Sequence, residues 1–327
     1  MLILPLVAAL LAAADTTPGA PPTGDVLVIA NQGDRTVHLV ETGSGRTLAI
    51  LPSAPAPHEV AVTADGRWAV ATNYGDRADV GHALTVIDVS TQTVARGIDI
   101  SPHTRPHGIA FLPGDSILAI TSETSRAVVL VDFRAGRVLR ALPTDAQGSH
   151  ILAVSRGGEK IYTANVGSGT ATELNVASGQ VTRTFTAGPG SEGAALSPDG
   201  RRLWVASMGR DSTWVFDTAT GERVGAVATP GHAYRVAITP NGRHALIPAP
   251  ELNLLRVIDT QTMRESTVAV PGGPGGAIVS ADGRTAYVPL IEAGEVAVVD
   301  LDLLGVTRRL PAGAAPDGMA ISRLFRR

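Results

Sequence analysis

The segment Glu192-Gly193-Ala194-Ala195-Leu196-Ser197-Pro198-Asp199-Gly200-Arg201 recurs in variant form along the chain, and this repeat constrains the fold more than any other feature. Copies run from His58 to Arg67, Tyr234 to Arg243 and Gly275 to Arg284. Looser copies open at His107 and His150, and a truncated one opens at Asp317. The intervals between openings are 49, 43, 42, 42, 41 and 42 residues. A second apolar run follows each copy, such as Val70-Ala71-Thr72-Asn73, Tyr162-Thr163-Ala164-Asn165 or Tyr287-Val288-Pro289-Leu290. A third run ends in an acid, as in Val86-Ile87-Asp88, Val215-Phe216-Asp217 and Val298-Val299-Asp300. A polar turn and a short fourth run complete the unit.

Four short apolar runs separated by turn residues make a four-stranded antiparallel sheet. The pairs Asp65-Gly66, Asp199-Gly200, Asn241-Gly242 and Asp282-Gly283 suit tight hairpins that need positive φ. No stretch carries sustained helical periodicity. Four strands per unit at this period predict an all-β fold, a β-propeller. The chain starts inside a unit, because Val28-Ile29-Ala30-Asn31 is a second strand with no first strand before it. It finishes with a lone first strand, Gly318 to Ser322. Pairing the two termini in one blade removes an exposed strand edge and gives seven blades.

The Tyr/Trp/Val–Val/Thr–Ala/Thr–Asn run after a Ser-Pro-Asp-Gly turn resembles the YVTN-repeat (YncE-like) β-propeller family. The resemblance spans nearly all of residues 26 to 322. It implies a seven-bladed fold and an exported protein. It assigns no function, since relatives of this architecture include binding proteins, surface-layer proteins, propeller subunits of amine dehydrogenases and lactonase-like enzymes. Ala119-Ile120-Thr121-Ser122 and Leu246-Ile247-Pro248-Ala249 depart from the motif by lacking its asparagine.

Composition narrows the function classes. The net charge of −3 argues against a nucleic-acid surface, which needs a basic excess. The absence of cysteine excludes disulfides, thiolate metal sites, covalent haem attachment, cysteine nucleophiles and a lipoprotein anchor. Residues 1–14 are an apolar run ending Ala12-Ala13-Ala14 and read as a signal peptide, although no Lys or Arg precedes them. Residues 15–25 read as a disordered leader and residues 26–327 as one propeller. The protein is therefore expected in the periplasm or secreted, with no membrane span.

The residue that opens the first strand of each blade should sit at the mouth of the central channel. Around the ring that column reads His58, His107, His150, Glu192, Tyr234, Gly275 and Asp317. The chain has eight histidines, and three fall in this column, where an even spread would place about 0.2. Three imidazoles and a carboxylate on four consecutive blades suggest a divalent-metal site formed by His58, His107, His150 and Glu192. The alternative is structural, with each histidine bonded to its neighbouring blade. Blade 2 is long, and its extra residues are expected in the rim loops Asp76 to His82 and Ser101 to Pro106. Glu123, Asn165, Arg210, Asp211, Glu251 and Glu292 occupy equivalent loops. Tyr74, Tyr234, Arg235 and Asp317 are the expected ligand-binding residues; Arg235 is placed either to meet an anion or to form a blade-to-blade salt bridge.

Two motifs are set aside. Gly188-Pro189-Gly190-Ser191-Glu192-Gly193 has the letters of a dinucleotide fingerprint but leads into a strand, so no helix N-terminus receives phosphate. His103 and His107 stand four apart, but Pro106 and the loop setting argue against helical ligation and leave His103 as an outer ligand at most. Two functions remain, beside a third in which the chain is a subunit of a larger redox complex whose partner carries the cofactor. One is an exported binding or scaffold propeller for a small molecule, a cell-envelope component or a protein partner. The other is a metal-dependent hydrolase or lyase built on the three-His-plus-Glu set.

Overall fold

The computed structural model describes residues 22–326, so the expected signal peptide and most of the leader lie outside the described residues. At the near edge of the leader, Thr23 N donates to Glu41 Oε1 at 2.9 Å and Asp25 is buried. The chain forms seven four-stranded antiparallel sheets. In blade 1 the C-terminal strand Pro316–Ser322 is innermost and pairs with Val26–Asn31, which is followed outward by Thr36–Glu41 and Thr47–Pro52. Blades 2 to 7 follow in chain order. Their inner strands are Pro57–Val62, Pro106–Phe111, Ser149–Val154, Ser191–Leu196, Ala237–Ile238 and Ile278–Val279.

The second and third strands of each blade are covered on both faces, which is why they read as nearly continuous apolar runs. In blade 1, Val26, Val28 and Ala30 face blade 2 and join Val60, Ala69 and Ile87. Leu27 and Ile29, one residue out of phase, face blade 7 and join Tyr287, Val296 and Val298. Seven such clusters result, one between each pair of neighbouring blades. The fourth strands lie at the outer edge and are mostly exposed: in Val181–Thr186 only Phe185 is buried. The acid ending the third strand caps the following turn: Asp217 Oδ1 accepts the amides of Ala219 and Thr220, both at 2.9 Å. The motif asparagine has a similar local role, since Asn165 Nδ2 donates to Thr172 Oγ1 at 2.9 Å within its blade.

Two features differ from the sequence expectation. The inner strands of blades 6 and 7 shrink to two residues each. Pro248 and Pro289 stand in the second strands where, in blade 5, Ala206 pairs with Gly193 of the inner strand. Proline has no N–H for that ladder. In blade 2 residues 100–105 form a connecting loop as expected, but the extra residues around 76–82 mostly lengthen a hairpin. Its strands run Trp68–Gly75 and Val80–Asp88, which leaves only residues 76–79 as the connection.

Candidate metal centre at the axial mouth

The inner strands of blades 1 to 5 each slip register against the second strand at their start, forming a β-bulge. His58, His107, His150, Glu192 and Asp317 lie in these slips. A bulge re-aims the side chains it contains, and here it turns them to the common axis. The column is held between blades by hydroxyls. Thr72 Oγ1 accepts from Glu59 N at 3.0 Å and donates to His107 O at 2.9 Å. Thr121 Oγ1 accepts from Gly108 N at 2.8 Å and donates to His150 O. Glycine follows the column residue where backbones crowd. A Cβ on Gly108 would stand 2.6 Å from His150 O, and one on Gly318 only 2.1 Å from His58 O.

The three imidazoles meet. The ring centroids of His58 and His107 are 3.9 Å apart, those of His107 and His150 3.4 Å, and those of His58 and His150 6.4 Å. His107 lies between the other two with 1% of its surface exposed, and neither of its ring nitrogens has a hydrogen-bond partner. His150 Nδ1 is also buried without a partner. His58 Nδ1 lies 2.8 Å from Asp317 Oδ2 but off the line of a hydrogen bond. Burial, reinforced by the neighbouring cationic groups, holds His107 and His150 well below the ordinary histidine pKa. Both are therefore neutral at pH 7, the form that binds metal.

Two groups have donor atoms that all lie within 4.8 Å of one another: His58, Glu59 and His107, and His107, Glu123 and His150. Tetrahedral zinc would draw such donors to about 3.3 Å, a closure of the order of side-chain rotation. The expected set of His58, His107, His150 and Glu192 is thus not gathered on one point. Glu192 belongs to neither group, but its Oε1 is 3.4 Å from His150 Nε2. Burial pushes the carboxyls of Glu59 and Glu123 up, and that of Glu192 to about 7.

The expected ligand-binding residues surround this cluster. The Tyr74 ring packs edge-on against His58 and His107, and its hydroxyl donates to Glu123 Oε2 at 2.6 Å. Tyr234 precedes the shortened inner strand of blade 6, and the missing side chain at Gly275 leaves room for its hydroxyl. Arg235 does not stand free for an anion: it pairs with Glu59, and its Nη2 lies 3.0 Å from Asp317 Oδ1. Burial opposes ionisation of Asp317, but Arg235 and then His58 overcome it and hold the carboxyl far below its usual range. An open cavity of about 310 Å³ lies above, lined by His58, Glu192, Tyr234, Arg235 and Asp317 among others.

Sequence reasoning missed Glu59 and placed Glu123 only on the rim. A signal for Glu59 exists one place along the column, which reads Glu59, Gly108, Ile151, Gly193, Arg235, Gly276 and Gly318. Its only two charged residues, Glu59 and Arg235, pair with each other across the ring. Nothing in the repeat marks Glu123, whose position depends on how the loop after Ile117–Ser122 returns over the mouth.

The chain is a seven-bladed β-propeller whose axial mouth carries two His–His–carboxylate groups that could hold a metal ion. Neither a family model nor a curated protein matches its sequence. Among solved structures it is similar to Kuenenia stuttgartiensis hydrazine synthase, with a TM-score of 0.73 at 17% identity over 88% of this chain and 99% of that chain. It is also similar to a functionally unknown protein from Desulfotomaculum acetoxidans, with a TM-score of 0.77 at 15% identity over 91% of this chain and 99% of that one. At these identities the likeness shows the fold alone, and the resemblance to the YVTN-repeat family rests on the motifs. Among the described residues no helix is long and apolar enough to cross a membrane.

Proposed function

We propose that this chain is an exported binding propeller that holds a divalent transition-metal ion at its axial mouth and receives a small ligand in the cavity above it. One observation carries the reading: His107, buried between two other histidines, has both ring nitrogens without a partner. A buried polar atom left unpaired costs about 1–3 kcal/mol, and a metal bound to it would offset that cost. Imidazole nitrogen with carboxylate oxygen suits Zn²⁺, Fe²⁺, Co²⁺ or Ni²⁺. The apolar run of residues 1–14, ending in three alanines, supports export.

The test is metal analysis and Zn²⁺ or Co²⁺ titration of tag-free protein. The reading expects stoichiometric binding and a melting temperature that falls on chelation. Protein that binds neither ion, with melting indifferent to chelator, overturns it.

The cavity favours a second reading. Because His58, Glu192, Tyr234 and Arg235 all line it, a substrate carbonyl or ester could reach a metal held there and be polarised by it. Metal-dependent turnover of a lactone and ester panel, lost on chelation and restored by Zn²⁺, would distinguish a hydrolase or lyase from a binding protein.

A further inference from the structure

The two His–His–carboxylate groups differ in charge. Beside His58, the guanidinium of Arg235 pairs with Glu59 through Nη1 and with Asp317 through Nη2, and its side chain is only 12% exposed. Asp317 Oδ2 also accepts from Gln32 Nε2 at 2.6 Å. Both acids on this side are therefore already paired with one fixed cation, which offsets half of their charge. Beside His150 the arrangement is different. Glu123 Oε1 lies 3.5 Å and Glu192 Oε1 3.4 Å from the same nitrogen, His150 Nε2. Among the described residues, neither acid forms an ion pair with a lysine or arginine. Among the described residues, Glu123 accepts a hydrogen bond from the neutral hydroxyl of Tyr74 and from no charged donor. Arg105, in the same quarter, lies over the Tyr74 ring and donates to Asp76 O. Two acids, two imidazoles and several unpartnered ring nitrogens converge there with no lysine or arginine in ion-pair contact, although Arg235 acts on Glu192, and Arg105 on Glu123, from farther off.

Resting on the metal reading above, we propose that one divalent ion sits between His107, His150, Glu123 and Glu192, and that Arg235 is the built-in cation of the opposite half. The guanidinium offsets one of the two negative charges of Glu59 and Asp317, occupies an oxygen of each, and keeps a second ion from His58. Two nitrogens and two carboxylate oxygens form a set for a borderline ion such as Zn²⁺ or Co²⁺, not for all-oxygen Ca²⁺ or Mg²⁺. Tyr74 is a positioning residue, fixing the Glu123 carboxylate through its distal oxygen as hydrogen-bonded partners of metal ligands do. Of these four residues, Glu192 also lines the cavity above.

The experiment counts ions. Tag-free wild-type protein, Arg235→Gln, Glu123→Gln and Glu59→Gln are titrated with Zn²⁺ by calorimetry, with circular dichroism as the check of folding. The proposal expects one ion per wild-type chain and two per Arg235→Gln chain, because removing the guanidinium frees Glu59, Asp317 and His58. It expects Glu123→Gln to weaken the wild-type site at least 10-fold, a larger loss than Glu59→Gln causes. Two ions on wild type, one ion on folded Arg235→Gln, or a larger loss from Glu59→Gln each overturn the proposal while leaving a metal-binding mouth. No ion on wild type overturns the metal reading itself. Should Arg235→Gln fail to fold, the comparison of the two glutamate variants decides alone.

Discussion

Replacing His107 by leucine should make the metal-free protein more stable, not less. A neutral imidazole carries one donor nitrogen and one acceptor nitrogen, and at His107 both are buried without a partner. Each unpaired atom costs about 1–3 kcal/mol. Leucine removes both and is of similar bulk, with an imperfect fit returning about 1.5 kcal/mol or less. The net gain expected in chelator is about 2 kcal/mol. At about 2.1 cal/mol/K of unfolding entropy per residue, a chain of this size gains about 3 °C in melting temperature. Zn²⁺ at 100 times its Kd should add about 2.7 kcal/mol to wild type and nothing to the variant, so the order of stability reverses. Denaturant unfolding with and without Zn²⁺ reads both effects. If His107→Leu loses more than about 1 kcal/mol in chelator, the imidazole is a structural partner and the argument fails.

Glu192 should make the metal-free protein pH-sensitive. Its folded carboxyl titrates at about 7, against 4.5 ordinarily, so between those values the folded state holds a proton that the unfolded state has lost. Stability then falls as pH rises from 4.5 to 7, by up to about 3 kcal/mol at about 1.4 kcal/mol per unit. Glu192→Gln should flatten that slope in chelator, and an unchanged slope would assign it to another group. Thr121→Val should cost about 2 kcal/mol and raise the Kd for Zn²⁺, because it strips the bonds from Gly108 N and to His150 O. Thr121→Ser should restore both, and a Thr121→Val variant that binds Zn²⁺ as wild type does would show that the hydroxyl does not position His150.

The column of His58, His107, His150, Glu192, Tyr234, Gly275 and Asp317 was legible because equal positions in a repeat come to equal places on a ring. That argument finds which residues face the axis but not how far each reaches. Arg235 reaches from blade 6 to Glu59 on blade 2 and Asp317 on blade 1, so of its two expected roles it takes the interblade salt bridge and not the free anion site. Glu123 enters the centre from a loop between second and third strands, outside the repeat's inner column. The short inner strands of blades 6 and 7 were legible in principle, since Pro248 and Pro289 mark them. Their effect falls on the neighbouring strand, however, where the motif itself shows no change.

By itself the sequence determined the number of blades, the strands within each, and the closure of the ring by Pro316–Ser322 on Val26–Asn31. These follow from local pattern: short apolar runs, turn residues and a recurring unit each act over a few residues at a time. Only the tertiary structure decided the chemistry of the mouth. Residues up to 259 positions apart, from His58 to Asp317, share one small volume there. Whether a given acid meets an imidazole or a guanidinium depends on bulge geometry and on interblade contacts that no local pattern encodes.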